Sequence, residues 1–564
     1  MTGPAARTAE GAGDAVLTGI GIGGGSAAGP VARMAPPPAL PAPRTVDPAQ
    51  APAEAAAVRR ALRETAADLR RRAEAADGAA GEVLSAQALM ADDPALGDRA
   101  EALVAEGTDG AHALAAAFGE FRTALEAAGG YFAERVADLD DLRDRSVARL
   151  LGLPMPGLPD PGHPHVLVAG DLAPADTAQL DPARVLALVT ERGGPTSHTA
   201  ILARTLGLPA VVGCTGAAGL ADGREVLVDG AAGTVRTDPD PAAVAEAAER
   251  DRRRRERAAR AAGPGRTADG HPVKLLVNLG GLGELPDAAA ADSEGVGLFR
   301  TEFLFLDRTE APGREEQTAA YREVFTAFAG RRVVVRTLDA GADKPLPFAT
   351  AADEQNPALG VRGLRTAARD PHLLETQLAA VAEAADGSGA EVWVMAPMVS
   401  LPREAAEFAG RVRAHGLPVA GSMVEVPAAA LRAGALARAC DFLSVGTNDL
   451  AQYAFAADRT LGSLAELLDP WQPALLELVG TAAREGARHG RPVGVCGEAA
   501  ADPLLAPVLA GLGVTSLSAA PGRLGEVRAS LAARTLDDCR RLAGLALGAP
   551  DAASARAAVL EALG

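Results

Sequence analysis

The chain has 564 residues, of which 55 are Lys or Arg and 73 are Asp or Glu, so its formal net charge is −18. This acidic balance disfavours nucleic acid as a partner, and a hydrophobic fraction of 48% excludes wholesale disorder. At roughly 150 residues per domain, the length suggests about three or four domains.

Residues 15–34 are typical of a short strand, a glycine turn and a second strand, and a proline-rich boundary follows them. From about residue 53 to residue 151, Ala, Leu, Glu and Arg dominate, which predicts a bundle of about four helices. Short β runs then continue to Thr237 and predict a compact α/β unit. We therefore expect one discontinuous α/β domain (15–34 and 153–240) with an inserted helical domain (35–152).

The next segment, residues 241–265, is charged on nearly every face and predicts a linker helix between domains. Its basic run Arg252–Arg255 is interleaved with acidic residues, which disfavours RNA binding.

Residues 266–564 contain eight β runs separated by segments of helical length. This arrangement predicts a (β/α)8 barrel of the TIM type, in which functional residues gather at the C-terminal ends of the strands. Polar residues do stand at those predicted ends: Arg300, Arg336, Asp339, Glu425, Asn448, Asp449, Cys496 and Glu498.

The residue types at these ends suit a small phosphate ester that carries a carboxylate. Arginine forks bind phosphate and carboxylate oxygens in bidentate fashion, and we expect five of them to converge: Arg300, Arg336, Arg362, Arg365 and Arg459. Glu425 and Asp449 follow neighbouring strands and could together hold one Mg²⁺. Any one of these arginines alone would be interpreted as a surface ion pair.

Lysine is scarce, since the chain has two lysines, Lys274 and Lys344, beside 53 arginines. Neither stands in the G-x-x-x-x-G-K-[ST] context of a Walker A loop. Lys344 lies beside the predicted site, where a compact ammonium group could assist an anionic substrate.

The four cysteines form no C-x-x-C pair, so they predict neither a disulfide framework nor a zinc site, and a reducing cytoplasm is expected. A signal peptide and a membrane helix are not expected either. A free cysteine is usually a small core residue, but Cys496 stands at a barrel strand end, where a protonated thiol could donate a proton.

His198 lies in GGPTSHTAILAR, between a tight turn and an apolar helical stretch. The exposed N–H groups and the dipole of a helix N-terminus would stabilise a phosphoryl group on its ring. A lone histidine is as often structural, so this interpretation depends on the barrel.

Together these motifs resemble the phosphoenolpyruvate-protein phosphotransferases, the enzyme I family of the bacterial phosphoenolpyruvate:sugar phosphotransferase system. The resemblance runs from about Leu17 to Leu524, and it is carried by the following motifs: GGPTSHTAILAR, EGVGLFRTEFLF, VVVRTLDAGADKPLP, NPALGVRGLR, GSMVEVPAA, DFLSVGTNDLAQY and VCGEAAADP.

The resemblance implies that His198 is phosphorylated by phosphoenolpyruvate (PEP) and that Cys496 protonates the enolate to pyruvate. It implies that Glu425 and Asp449 bind Mg²⁺, and that seven residues bind or assist PEP: Arg300, Arg336, Asn448, Asp449, Arg459, Lys344 and Arg362. It further implies a swivelling phosphohistidine domain, a helical domain that docks the phosphocarrier protein HPr, and a homodimer formed through the barrel.

Two alternatives remain open. Pyruvate phosphate dikinase and PEP synthase share the phosphohistidine and barrel modules, but they need an ATP-grasp domain, whose sites usually use lysine, and no lysine precedes His198. A catalytically silent scaffold is disfavoured because the acid, metal and arginine residues are all present.

Overall fold

The computed structural model describes residues 15–34, 38–75, 79–128, 136–153, 157–159, 161–170, 172, 180–194, 197–306, 308–340, 346–350, 354, 356–459 and 462–563. The chain divides into two compact units, Met1–Ala248 and Glu249–Gly564. No helix among the described residues is both long and apolar enough to cross a membrane.

The first unit contains an eight-stranded sheet in the order β1-β8-β7-β3-β4-β5-β6-β2. Its strands are β1 (Val16–Thr18), β2 (Ile20–Ile22), β3 (Ser26–Arg33), β4 (His165–Ala169), β5 (Val185–Thr190), β6 (Ala210–Val212), β7 (Glu225–Asp229) and β8 (Thr234–Thr237). The central run β3-β4-β5-β6 is parallel, and the outer pairings are antiparallel. The N-terminal segment thus forms three strands rather than the two expected, because the first run is interrupted at Gly19 into β1, which pairs with β8, and β2, which pairs with β6. The chain then reverses once, between Ile22 and Ser26, into β3.

Five described helices lie in the chain between the neighbouring strands β3 and β4. They are α1 (Ala51–Ala75), α2 (Ala79–Ala91), α3 (Pro94–Ala105), α4 (Gly110–Ala128) and α5 (Val136–Leu151). They share a hydrophobic core of their own, built from residues such as Leu62, Leu96 and Leu114. The expected number was about four. The additional helix arises because Pro94 occupies a first-turn position and Asp93 caps the new helix through the Ala95 N–H, at 2.8 Å.

Two further helices complete this part of the chain: α6 (His198–Leu206) and α7 (Pro241–Arg260). On α7 the basic run is paired with acidic residues of the same helix, since Arg252 and Arg253 pair with Glu249 and Arg254 and Arg255 pair with Asp251. These i,i+3 and i,i+4 pairs support an exposed helix.

The second unit is a closed barrel of eight parallel strands, in chain order around the barrel. Its strands are β9 (Lys274–Leu279), β10 (Gly295–Arg300), β11 (Arg332–Arg336), β12 (Glu391–Ala396), β13 (Ala420–Val424), β14 (Phe442–Val445), β15 (Val493–Val495) and β16 (Ser516–Ala519). All eight predicted β runs are therefore strands, and the TIM-type barrel is confirmed.

Helices cover the outside of the barrel. They are α8 (Leu285–Ala290), α9 (Arg314–Ala327), α10 (Thr366–Arg369), α11 (Pro371–Ala385), α12 (Pro402–Ala414), α13 (Pro427–Leu431), α14 (Ala433–Ala439), α15 (Thr447–Phe455), α16 (Pro473–Arg488), α17 (Leu505–Gly511), α18 (Leu524–Ala532), α19 (Leu536–Leu547) and α20 (Ala552–Leu563). One large core joins them to the strands.

A smaller cluster fills the barrel interior, where the rings of Trp393 and Phe442 lie 4.7 Å apart between centroids. Gly421 on β13 leaves the space for this pair, because a Cβ built there would overlap the Phe442 ring.

Gly421→Ala should therefore destabilise the barrel by overpacking, by about 1–3 kcal/mol, and should lower its thermal unfolding midpoint. Gly410→Ala is the matched control, since a Cβ on this exposed position of α12 meets no atom within 4 Å. There the same substitution should raise helix propensity and stability by up to about 1 kcal/mol. Equal midpoints for the two variants would contradict the interior packing described.

Candidate active site

Charged and polar side chains gather at the C-terminal mouth of the barrel. Arg300 ends β10, Arg336 ends β11, and Glu425 directly follows β13. Asn448 and Asp449 lie in the first turn of α15, which begins one residue after β14, and Cys496 follows β15. Because the strands are parallel in a closed barrel, these ends share one rim.

Six of the side chains at this mouth form an alternating row of acids and arginines, which we call the ion chain. In order, it contains Glu302, Arg336, Asp339, Arg362, Asp449 and Arg459. The successive nitrogen–oxygen distances are 2.9, 3.1, 2.9, 3.0 and 3.9 Å. Every cation between two carboxylates has its charge balanced on both sides, which is the condition for burying such groups.

Arg362 is the centre of the ion chain and is 4% exposed. Its Nε and one terminal nitrogen donate to the two oxygens of Asp339, at 3.3 and 2.9 Å, and the other terminal nitrogen donates to Asp449 and to the Tyr453 hydroxyl. A planar guanidinium can hold one carboxylate in bidentate fashion while reaching a second, a geometry that an ammonium group does not reproduce. Four of its five N–H donors are thus occupied by protein groups.

Arg336 holds the other side of Asp339. Burial alone would raise the pKa of the Asp339 carboxyl, but Arg336 and Arg362 together hold it below its ordinary value of 3.8. Burial would lower the pKa of Arg336, and Glu302 and Asp339 overcome that effect and raise it. The Arg336 Nε is buried and has no hydrogen-bond partner among the described residues, so one donor remains for another group.

Glu425 is the carboxylate at this mouth that stands outside the ion chain. It is 1% exposed and accepts the Met398 backbone N–H at 2.6 Å. Met398 adopts a left-handed conformation (φ 57°), which is rare for a residue with a side chain and turns its N–H toward the carboxylate. Burial raises the pKa of Glu425 to about 8, and Asp339 and Asp449 add to the rise.

The Glu425 side chain fits a hard cation. The ion chain contains three acids and three arginines, so its charges balance without Glu425, and carboxylate oxygens are the ligands that Mg²⁺ prefers. A Cβ on Gly446 would lie 2.9 Å from a Glu425 oxygen, so the neighbouring backbone leaves this oxygen room. Within the described part of the chain no cluster of three or more His, Cys, Asp or Glu groups is arranged to hold a metal; substrate or water oxygens would have to complete a site at Glu425 and Asp449.

Cys496 lies inside the mouth and is 3% exposed. Its thiol donates to the Val445 carbonyl at 3.6 Å and accepts a hydrogen bond from Ser444 Oγ at 3.4 Å. Burial raises the pKa of this thiol above its ordinary range, so it carries its proton at neutral pH. The cysteines Cys214, Cys440 and Cys539 are also buried; Cys440 and Cys539 belong to the large core of the barrel unit, and Cys214 belongs to a core of the first unit.

The remaining predicted residues differ in their surroundings. Arg300 is exposed at the end of β10, and the Asn448 Oδ1 accepts the Glu498 N–H at 3.0 Å, which ties β14 to β15. Arg365 donates instead to backbone carbonyls and to Ser400, which is a structural role. Lys344 lies outside the described residues. His198 begins α6 in the first unit, and its side chain lies outside the described part of the chain.

A buried amide network that the sequence analysis missed supports the arginine end of the mouth. Gln377 on α11 donates to the hydroxyls of Thr301 and Tyr321, at 3.0 and 2.9 Å, and accepts the Leu338 N–H at 2.9 Å. Thr301 Oγ1 in turn donates to the Arg336 carbonyl at 2.9 Å. These bonds fix the ends of β10 and β11 relative to each other, and a single glutamine within an amphipathic helix gives no sequence signal for that role.

Comparison with known proteins identifies the class. Three family models for PEP-utilising enzymes match the chain: the N-terminal model at residues 18–135, the mobile-domain model at residues 161–233 and the PEP-binding-domain model at residues 254–536. The last of these covers the whole barrel mouth. The fold and the charged mouth are thus those of a PEP-utilising enzyme.

Individual relatives define the family within that class. A phosphoenolpyruvate-protein phosphotransferase of Streptomyces coelicolor is 52% identical over 97% of this chain and 98% of its own length. A Haloferax volcanii protein of the same name is 41% identical over 82% of this chain and 83% of its own, and the Bacillus subtilis protein is 36% identical over 78% and 80%. The chain belongs to the phosphoenolpyruvate-protein phosphotransferase family.

Removing the central cation of the ion chain tests its energetics. Arg362→Met should lower the free energy of unfolding by about 3–5 kcal/mol at pH 7, because two buried carboxylates each lose one of their two arginine partners. The folded-state pKa of Asp339 lies below 3.8; its stabilising contribution is therefore present above that pH and is lost as the pH falls through the folded value. The deficit should accordingly shrink when unfolding is measured below about pH 4.

Arg411→Met is the matched control, since the Arg411–Glu375 pair (3.1 Å) is 40% and 42% exposed. Exposed pairs contribute less than about 1 kcal/mol. Similar losses for both variants would contradict the ion chain as the main electrostatic support of the mouth.

Proposed function

We propose that this chain transfers the phosphoryl group of PEP to His198 and then to a histidine of HPr, releasing pyruvate, as the first step of sugar uptake by the phosphotransferase system. The observation that carries the proposal is the buried, charge-balanced mouth of the barrel, with free donor capacity on Arg336 and a proton-bearing thiol beside it. The extent of similarity to phosphoenolpyruvate-protein phosphotransferases, over 97% of this chain, supports it.

PEP carries a phosphate and a carboxylate, and the arginines of the mouth suit both. Arg300 is exposed, and the Arg459 side chain is 34% exposed, so both can reach a substrate entering from the rim. Arg336 offers its Nε from inside. Asn448 and Asp449 complete the substrate-binding set, and Lys344 and Arg362 assist. Arg362 acts by holding Asp339 and Asp449 in place, since these two carboxylates already take three of its five N–H donors.

Glu425 and Asp449 would hold Mg²⁺, and the bound ion would stabilise charge on the transferring phosphoryl group. The chain's own contribution is to keep both carboxylates oriented: the Met398 N–H holds Glu425, and Arg362 holds Asp449. Burial raises the pKa of Glu425 to about 8, so a cation bound there would displace a proton from this carboxyl group.

Loss of the phosphoryl group leaves the enolate of pyruvate, whose methylene carbon must be protonated. The Cys496 thiol carries the required proton at neutral pH because burial raises its pKa. The substrate's carbon would receive this proton from within the barrel.

Phosphohistidine chemistry belongs to the first unit. His198 begins α6, where N–H groups at the helix start can stabilise the phosphoryl group. We propose the phosphohistidine domain at residues 15–34 and 153–240, HPr docking on the inserted domain at 35–152, and a hinge in the linker at 241–265. The barrel domain, 266–564, would also form the homodimer. Four buried free cysteines suit a reducing compartment, the cytoplasm.

Labelling tests the transfer to His198. The chain incubated with Mg²⁺ and PEP labelled in its phosphate should gain an acid-labile, base-stable label and pass it to added HPr, and His198→Ala should abolish both steps. His163→Ala, which changes an exposed histidine of the same unit, should leave them unchanged. Label that comes from ATP rather than PEP would instead favour the dikinase reaction.

Cys496→Ala tests the proton donor. Pyruvate formation should slow on the order of 10²-fold, the usual contribution of a general acid, while phosphorylated HPr should still load His198 in reverse. Cys440→Ala is the control, because Cys440 is a buried thiol that also lies beside a serine, Ser422, at 3.0 Å. Normal PEP turnover by Cys496→Ala would refute its role as the donor.

A further inference from the structure

A narrow cavity runs along the inside of the barrel from its N-terminal mouth to Cys496, on the side away from the candidate active site. We call it the axial cavity. At its N-terminal end it is lined by Arg332, Pro492 and Ser516, and at its inner end by Ser444 and Cys496. The first residues of β11 and β16 and the residue that follows β15 thus line the same cavity.

The axial cavity is left open by small residues on β10, β15 and β16. Gly297, Gly494, Ser516 and Ser518 all line it, and they oppose the large rings that fill the other side of the interior. The space open to the centre of a water molecule is about 20 Å³, and one ordered water needs roughly 10–15 Å³ by this measure. The cavity therefore has room for a water but not for a substrate-sized ligand.

Its lining also offers polar partners for a water. The Arg332 Nε is buried without a hydrogen-bond partner among the described residues, while its guanidinium lies 3.5 Å over the Trp393 ring. Hydroxyl groups of Ser444, Ser516 and Ser518 line the same space. A buried water needs two to four such partners, so a water placed here would satisfy a donor that the protein leaves unpaired.

Ser444 connects this space to the thiol. Its side chain is buried (5% exposed), lines the axial cavity and donates to Cys496 Sγ at 3.4 Å. Cys496 as a whole is 3% exposed, so bulk solvent has little direct access to it. A thiol that protonates an enolate in each turnover must regain its proton, and Ser444 is a hydrogen-bonded neighbour of the thiol that also lines the axial cavity.

We propose that Ser444 relays protons between Cys496 and the axial cavity, so that the thiol is reprotonated from the N-terminal end of the barrel while substrate occupies the C-terminal end. This inference rests on the proposed role of Cys496 as proton donor. Ser444 does not touch the substrate and acts through the thiol.

The proton balance is as follows. The Cys496 S–H bond breaks as a C–H bond forms at the enolate carbon, which leaves a thiolate. The thiolate takes the Ser444 hydroxyl proton, Ser444 takes one from water in the axial cavity, and that water regains one from solvent at the N-terminal mouth. Each turnover therefore moves one solvent proton into the methyl group of pyruvate, with no oxidant or reductant.

Isotope exchange distinguishes reprotonation of the thiol by the relay from protonation of the enolate by the thiol. In D₂O with Mg²⁺, PEP and ¹⁴C-labelled pyruvate, the full chain exchanges label between pyruvate and PEP through phosphorylated His198. Label exchange can proceed with one proton passing back and forth between Cys496 and pyruvate, whereas deuterium enters pyruvate only when the thiol exchanges with solvent. The ratio of deuterium uptake to label exchange, measured against an enzyme-free blank, therefore reports the relay.

Ser444→Ala should lower this ratio by about tenfold or more, since general acid–base groups contribute 10²–10⁴-fold to proton transfer, while label exchange continues. Ser444→Thr, which keeps the hydroxyl, should restore the ratio. Ser422→Ala is the matched control: Ser422 contacts Cys440 in the outer core, at 3.0 Å, and its loss should leave the ratio unchanged. An unchanged ratio in Ser444→Ala would overturn the relay.

A second variant covers the case in which Ser444→Ala does not fold. Ser516→Val fills the N-terminal end of the axial cavity without touching Cys496, and it should lower the ratio in the same way; an unchanged ratio would count against the route. The same measurements distinguish failure of the relay from failure of the proposed function. Normal label exchange in Cys496→Ala would refute Cys496 as the proton donor. Slow label exchange in Cys496→Ala, together with an unchanged ratio in Ser444→Ala, would refute the relay alone.

Discussion

The architecture of the barrel mouth depends on the alternation of charge along the ion chain. Each buried arginine lies between two carboxylates, and Asp339 lies between two arginines. Removing charges from water costs several kcal/mol per ion unless each is paired and hydrogen-bonded, so changing any member takes a charged partner away from each of its neighbours. The chain thereby holds anionic and cationic groups side by side, ready for a substrate that carries two anionic groups of its own.

Neutral groups keep this charged row in position. The Gln377 amide joins the ends of β10 and β11, and the strained backbone at Met398 turns an N–H toward Glu425. Gln377 lies on helix α11, and Met398 lies in the loop that follows β12. These two residues fix the orientation of the charged side chains and leave the substrate-facing groups free. Such support is what lets a site built on strand ends keep its geometry as substrate enters and leaves.

Much of this fold follows from local patterns, because most barrel strands are short runs rich in β-branched and apolar residues and several strand ends carry polar residues. The pairings within the ion chain do not follow, since Arg362 meets Asp339 and Asp449 across 23 and 87 residues of sequence. Ser444 is likewise an ordinary strand residue in the sequence. Its relation to Cys496 arises only when β14 and β15 become neighbours.

The near absence of lysine takes on a structural meaning at this mouth. An ammonium group offers donors around a single point, whereas the flat guanidinium of Arg362 contacts two carboxylates and a tyrosine hydroxyl at once. A row in which one cation must hold both oxygens of one acid and reach a second acid therefore favours arginine, because an ammonium group does not reproduce the bidentate contact with Asp339. Compositional preference and site geometry act here in the same direction: the residue that is abundant in the chain is also the one that this arrangement needs.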